Sequence, residues 1–238
     1  MMPRIGDHVP VPGERVEVLP VIAIDGPMAA GKSTVAQLLA RRLGFQYVDT
    51  GAMYRSVAWA EHQQGIDIQN EGAVAALAQT LRLEFLPTPE GQRVRVNGVD
   101  VTEAIRTPEI SDAASVVSTY PAVREAMVRL QRDLGARGGV VMEGRDIGTV
   151  VFPNATLKIY LDATPEVRVR RRYEELRAKG TAVALEALAQ AEAERDRRDV
   201  TRGHSPLRPA PDAIVIDTTR RSVEAIVEQI LTLLRERK

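Results

Sequence analysis

Residues 26–33, GPMAAGKS, constrain this chain more than any other stretch. They have the form G-x-x-x-x-G-K-[ST] without a mismatch. They stand between an apolar run at 21–24 and a segment carrying Val35, Leu38, Leu39 and Leu43 at helical spacing. Glycines at both ends let backbone N–H groups turn inward and cradle phosphate oxygens. The helix that follows adds the positive end of its dipole. Lys32 can reach the outer phosphates, and the Ser33 hydroxyl can ligate Mg²⁺. Met28, Ala29 and Ala30 bring no side-chain donors, which costs little because the backbone performs the binding. Gly26, Pro27, Met28, Ala29, Ala30, Gly31, Lys32, Ser33 and Thr34 are therefore expected to hold the phosphates of a nucleoside triphosphate.

Such a loop needs a strand before it and a helix after it, and the chain repeats that theme. Apolar, β-rich runs begin near Val21, Phe45, Val140, Leu157 and Ala213. Helical patterns separate them: 32–43 closed by Gly44, 52–63 with Thr50 as cap, 71–79, 110–118, 121–134, 165–179 with Thr164 as cap and Pro165 in its first turn, 184–199, and 222–236. This predicts an α/β fold with a five-stranded parallel sheet covered by helices on both faces. One stretch, about 81–103, breaks the alternation. LRLEFL and RVRVNGVDV read as antiparallel strands, with Asn97-Gly98 as a hairpin turn. It is read as an inserted subdomain.

Composition narrows the choice of partner. The 238 residues are 44% hydrophobic and 27% charged, ordinary globular values that allow one large α/β domain or two small ones. Basic and acidic residues number 32 each, so no net field draws the chain to nucleic acid or to an anionic membrane, and neither is expected as a partner. There is no cysteine, which excludes disulfides, thiolate catalysis and cysteine-ligated metal. His8, His62 and His204 are widely spaced, so no histidine-rich metal site is expected. No apolar run approaches the ~20 residues that span a bilayer. Residues 1–18 lack a continuous apolar core and read as a flexible tail before a single domain at 19–238. A cytoplasmic monomer is expected.

The loop alone does not say what the triphosphate is for. No N-K-x-D segment marks a guanine switch, and no L-S-G-G-Q marks a transport ATPase. A small-molecule phosphotransferase and an ATP-driven regulatory module remain. The former must carry a second anion-binding site facing the first. Three segments could build it. DTGAMYR, 49–55, puts a hydroxyl (Thr50), an aromatic ring (Tyr54) and a guanidinium (Arg55) at a helix start after the second strand, where ligands gather in such sheets. EGRDIGT, 143–149, follows the strand expected beside the loop strand. There Glu143 is placed to hold Mg²⁺ and Arg145 to bind phosphate. In ERDRRDVTR, 194–202, Arg195, Asp199 and Arg202 share one stripe if helical. Arg170, Arg171 and Arg172 are consecutive, ~100° apart around a helix, so at most one or two can face the triphosphate. Arg171 and Arg172 are favoured.

Taken together, IDGPMAAGKST, YVDTGAMYR, GRDIGTVVFPNA, KIYLDAT, ERDRRDVTR and PLRPAPDAIVIDT resemble the bacterial cytidylate kinases, a family of P-loop nucleoside monophosphate kinases, in order and from about Leu19 onward. The resemblance implies ATP as donor, CMP and dCMP as acceptors, and Mg²⁺. It implies acceptor-phosphate arginines at Arg55, Arg145 and Arg202, sugar contacts at Arg195 and Asp199, and base contacts at Ser115, Arg124 and Asp146. Thr50 stands where the family often has serine, and Glu143 where it often has aspartate. Both replacements keep the functional group. The hairpin island matches an insertion within the monophosphate-binding region, about 50–138, and residues 168–203 match a lid. The catalytic set implied is Lys32, Arg145, Arg171 and Arg172, with Ser33 and Glu143 toward the metal.

Overall fold

The computed structural model describes residues 19–88 and 91–237; the expected tail, 1–18, lies outside them. In chain order the elements are β1 (Val21–Asp25), α1 (Lys32–Leu43), β2 (Gln46–Asp49), α2 (Thr50–Gln64), α3 (Glu71–Thr80), β3 (Leu83–Thr88), β4 (Gly91–Val96), β5 (Val99–Asp100), α4 (Pro108–Val117), α5 (Pro121–Gly135), β6 (Val140–Gly144), β7 (Leu157–Asp162), α6 (Pro165–Ala178), α7 (Leu185–Thr201), β8 (Ile214–Asp217) and α8 (Val223–Glu236).

β1 is the middle strand because its side chains can live nowhere else. Ile22, Ala23 and Ile24 have no exposed surface, the pattern of a strand buried on both faces. It pairs in parallel with β6 on one side and β7 on the other, giving the order β2-β6-β1-β7-β8. After β1 the chain moves to one side of it, and after β6 to the other. The carboxyl end of β1 is thus a topological switch point, where such sheets bind ligands. α1 turns Val35, Ala36, Leu39 and Ala40 inward and stops at Gly44, whose φ of 66° suits a left-handed cap. With α8, which buries Ile226, Val227, Ile230 and Leu234, it covers one sheet face. Burying a Leu or Ile side chain stabilises by roughly 1.5–3 kcal/mol, so this face alone anchors the loop between β1 and α1.

The predicted island is a separate antiparallel sheet, β3-β4-β5. Its second turn places Asn97 at φ 50° and Gly98 at φ 85°, the two left-handed residues of a type I′ hairpin. Phe85, Val94 and Val96 join Met53, Val57, Ile110, Val117 and Met127 in a second core, which fixes α2, α4 and α5 beside the sheet. α6 and α7 form the arginine-rich helical pair across the cleft. Among the described residues, no helix is long and apolar enough to cross a membrane.

Two local expectations are corrected. Thr50 does not cap α2. Asp49 does, accepting from the Ala52 N–H at 3.0 Å, while the Thr50 hydroxyl donates to the Glu143 carbonyl at 2.7 Å. A residue in line to cap is thus used to tie α2 to β6. Thr164 stands at the N-cap of α6 but its side chain makes no capping bond.

Candidate active site

The carboxyl ends of β1, β2 and β6 open into a cleft of about 600 Å³. Met28 to Thr34 form one wall. Thr50, Tyr54, Arg55, Ser115, Arg124, Glu143, Arg145, Asp146, Arg171, Arg172, Arg195, Asp199 and Arg202 also line it. Gly26 and Pro27 lie just behind. A Cβ on Gly26, at φ 148°, would sit 2.0 Å from the Leu161 carbonyl oxygen, so only glycine lets the chain leave β1 this way. The Pro27 carbonyl accepts from Lys32 Nζ at 2.7 Å, holding the ammonium inside the loop. Burial, then the neighbouring charge of Arg145, pulls the Lys32 pKa down to about 7.

Glu143 ends β6 facing this loop. The Tyr47 hydroxyl donates to its Oε1 at 2.5 Å, and the Ser33 hydroxyl lies beside the same carboxyl. Burial, then the charge of Asp49, raises the carboxyl above its usual range. A hydroxyl and a carboxylate in contact beside a phosphate loop are the protein share Mg²⁺ takes when phosphate oxygens and water complete its shell. The donor set fits that ion.

On the opposite wall the cations are held by carboxylates. Arg55 Nη2 donates to Asp49 Oδ2 at 2.7 Å, and Arg145 Nε to Asp199 Oδ2 at 2.8 Å. Arg124 pairs with Asp146 in the buried interior and its guanidinium lies over the Tyr54 ring, 5.5 Å from the centroid. Arg202 stands 3.9 Å from both Asp146 and Asp199. It is not on the helical stripe expected for it, because α7 ends at Thr201. Its extended backbone, ψ 138°, brings it in from beyond the helix. Burial works against the Asp199 charge, but Arg145 holds the carboxyl below the usual range. Burial and then Arg145 pull Arg195 down to about 10. Crowded guanidiniums in a buried cleft are electrostatically incomplete and favour a polyanion. Ser115 Oγ is buried and makes no hydrogen bond within the protein.

A model of the cytidylate kinase family matches residues 22–236. The chain is 52% identical over 216 residues to a cytidylate kinase of Geobacillus kaustophilus, covering 91% of this chain and 96% of that one. It is 50% identical over 216 residues, with the same coverage, to a cytidylate kinase of Bacillus subtilis. The chain belongs to the cytidylate kinase family. Among solved structures, a shikimate kinase from Acinetobacter baumannii superposes with a TM-score of 0.45 at 19% identity, covering 93% of this chain and 96% of that one.

As a cytidylate kinase family member the chain is a P-loop kinase, and residues in and behind its cleft carry no signal singled out above. Arg168 is buried at the start of α6. It donates to the Ala163 carbonyl at 3.1 Å, approaches the Met28 carbonyl at 3.4 Å and pairs with Asp196 at 2.6 Å. It thereby ties both helices of the arginine-rich pair to the phosphate loop. Its signal was available: 168, 171 and 172 are i, i+3 and i+4, one helix face. Arg171 is fixed to Thr218 by bonds of 3.0 and 2.7 Å, and Arg172 pairs with Glu175 at 2.8 Å. Tyr47, and the acids Asp25 and Asp49, were also missed. Asp25 sits at the end of a run that is otherwise buried and apolar, and spacing gives no reason to single it out.

Proposed function

We propose that this enzyme transfers the terminal phosphoryl group of ATP in line to the 5′-phosphate of CMP and dCMP, with Mg²⁺. The observation that supports this most is the meeting of two anion sites in one cleft. One is built on backbone amides at 26–34, and the other on Arg55, Arg145 and Arg202. An ATP-driven regulator has no use for the second. The family membership of the chain supports the same acceptor class.

The acceptor phosphate is already a nucleophile, so no general base is needed. Catalysis is positioning and neutralisation of charge on a loose transition state. Lys32 would hold the outer phosphates of the donor, and Arg171 or Arg172 would reach them from α6. Arg55, Arg145 and Arg202 would hold the acceptor phosphate, and Arg195 and Asp199 its sugar. Mg²⁺, held through Ser33 and Glu143, would neutralise donor phosphate charge. Closure of residues 168–203 over both nucleotides would keep water from the transferring group.

The base reading follows from donor and acceptor order. Cytosine offers an amino group at position 4 and acceptors at N3 and O2. Asp146 and Ser115 can accept from the amino group, and Arg124 can donate to the ring. Uracil would set its carbonyl against the carboxylate and its N–H against the guanidinium. Buried polar groups left unpaired in this way discriminate by as much as ~10⁴-fold. The test is an ADP-release assay with CMP, dCMP, UMP and AMP side by side. CMP and dCMP should dominate. Comparable kcat/KM for UMP would overturn the base reading, and no acceptor-dependent ADP release would overturn the kinase assignment.

A further inference from the structure

Asp25 is a buried acid to which the proposed reaction gives no part. It is the last residue of β1, one step before the phosphate loop, and only 4% exposed. Its Oδ1 accepts the Ile147 N–H and its Oδ2 the Gly148 N–H, both at 2.8 Å. In the β1–β6 ladder its register partner is Gly144. The chain leaving β6 is therefore pinned at two places: by the ladder at 144, and by this carboxylate at 147–148. Only Arg145 and Asp146 lie between.

Those two residues carry the acceptor-side pairs with Asp199 and Arg124. Asp146, with φ −147° and ψ 23°, belongs to neither the helix nor the strand, so no backbone ladder fixes it. Space on the far side is matched to the carboxylate. A Cβ on Gly148 would fall 3.4 Å from Asp25 Oδ2 and 3.2 Å from Lys158 Cδ. A charged group here is expensive to bury, and burial lifts the Asp25 carboxyl to about 6 even with two N–H donors in place. Two carbonyl oxygens could satisfy two amides at less cost. A carboxylate adds one rigid plane gripping two consecutive N–H groups at once.

We propose that Asp25 is a positioning residue. By gripping the amides of Ile147 and Gly148 it aims Arg145 and Asp146 at the acceptor nucleotide, so a residue of the donor strand sets acceptor binding and base choice. This rests on the acceptor roles proposed above for Arg145 and Asp146. Asp25→Asn keeps the shape but turns one acceptor into an NH₂ that meets an N–H. Gly148→Ala sets a methyl in ordinary contact with the carboxylate and crowds the Lys158 side chain at 3.2 Å, so it shifts the amide that the carboxylate grips.

The experiment measures kcat/KM for CMP and UMP at saturating ATP, together with the Kd for ATP by fluorescence titration. It uses the wild-type enzyme, Asp25→Asn and Gly148→Ala. The wild-type preference for CMP tests the proposed function by itself. For Asp25→Asn, kcat/KM for CMP should fall ~10-fold or more, and the CMP-to-UMP preference should contract by a similar factor, with the Kd for ATP within about twofold. Gly148→Ala should move the same quantities in the same direction by less, and it decides the matter alone if Asp25→Asn does not fold. Loss of ATP and CMP binding in equal measure with base preference intact, or no change in base preference in either variant, would overturn the role of Asp25.

Discussion

In the proposed reaction the two walls of the cleft solve the same problem, binding phosphate, by different means. The donor wall is one unbroken run, 26–34, whose binding groups are mostly backbone amides shaped by glycines and by the left-handed Ala29 at φ 56°. The acceptor wall draws Arg55 from α2, Ser115 from α4, Arg124 from α5, Arg145 and Asp146 from the turn after β6, and Asp199 from α7. Nearly every cation there is held by a carboxylate: Arg55 by Asp49, Arg145 by Asp199, Arg124 by Asp146. A backbone site is set by local conformation and tolerates changes of side chain. A guanidinium site is set by tertiary packing and by charge partners, so it can be tuned one residue at a time. Under the proposed function the general phosphate chemistry therefore falls to the first wall and the selectivity to the second.

Lys32→Met is the largest single disturbance on the donor side. It removes the one side-chain cation inside the loop and should lower kcat ~10³-fold or more, with binding of CMP little changed. Equilibrium binding of CMP beside steady-state rates checks this. Loss of CMP binding in this variant would mean that the walls are not separable. Arg145→Ala is the counterpart, expected to lower kcat/KM for CMP ~10²-fold. It also strips Asp199 of its closest partner, so sugar contacts should suffer with the phosphate. Near-wild-type turnover would remove Arg145 from the acceptor wall.

A subtler disturbance is Asp146→Asn. The carboxylate lies between Arg124 and Arg202. Its neutralisation leaves two buried guanidiniums facing each other with less compensation. The CMP-to-UMP preference should drop ~10-fold or more, and the melting temperature should fall as well, since one partner of a buried pair has lost its charge. Unchanged preference with a lowered melting temperature would make Asp146 a structural partner of Arg124 and not a reader of the base.

The contrast between the walls also explains how much of each is legible in the sequence. The donor wall was legible because its grammar is local: glycine, lysine and hydroxyl at fixed offsets between a strand and a helix. The five strands and the Asn97-Gly98 turn were legible for the same reason, as short-range patterns of period and turn chemistry. The acceptor wall could be read only as candidate segments. Nothing local says that Arg124 meets Asp146, since 22 residues and a sheet crossing separate them. Asp49 and Asp25 carry no assignment from the sequence because an acid ending a buried strand has the same signature whether it caps a helix, pairs with a guanidinium or grips amides in the turn after a neighbouring strand. Thr50 was misassigned as a cap because two adjacent residues can each cap, and only the position of Glu143 decides between them. Arg202 shares a stripe with Arg195 and Asp199 only if the helix reaches it, and α7 stops one residue short.

The smallest effect sharpens the comparison most, because it joins the walls. Lys32 has a pKa of about 7, lowered first by burial and next by Arg145 on the opposite wall. At pH 8, above that value, the free enzyme then holds much of this side chain in its neutral form. Phosphates arriving at the loop favour the ammonium and raise its pKa, so binding must draw in a proton. The sign follows from the direction of the shift. A base depressed in the free enzyme and restored in the complex takes up protons between the two pKa values. Titrating ATP calorimetrically at pH 8 in buffers of different ionisation enthalpy should show net proton uptake, which shrinks as the pH falls below about 7 and Lys32 is already charged in the free enzyme. Arg145→Ala removes the second cause of the depression, so its uptake at pH 8 should be smaller while its affinity for ATP stays close to wild type. If the heat is independent of buffer at pH 8, Lys32 enters the reaction already charged. If uptake is present but unaltered by the Arg145 substitution, burial alone sets the lysine, and the two walls are electrostatically independent.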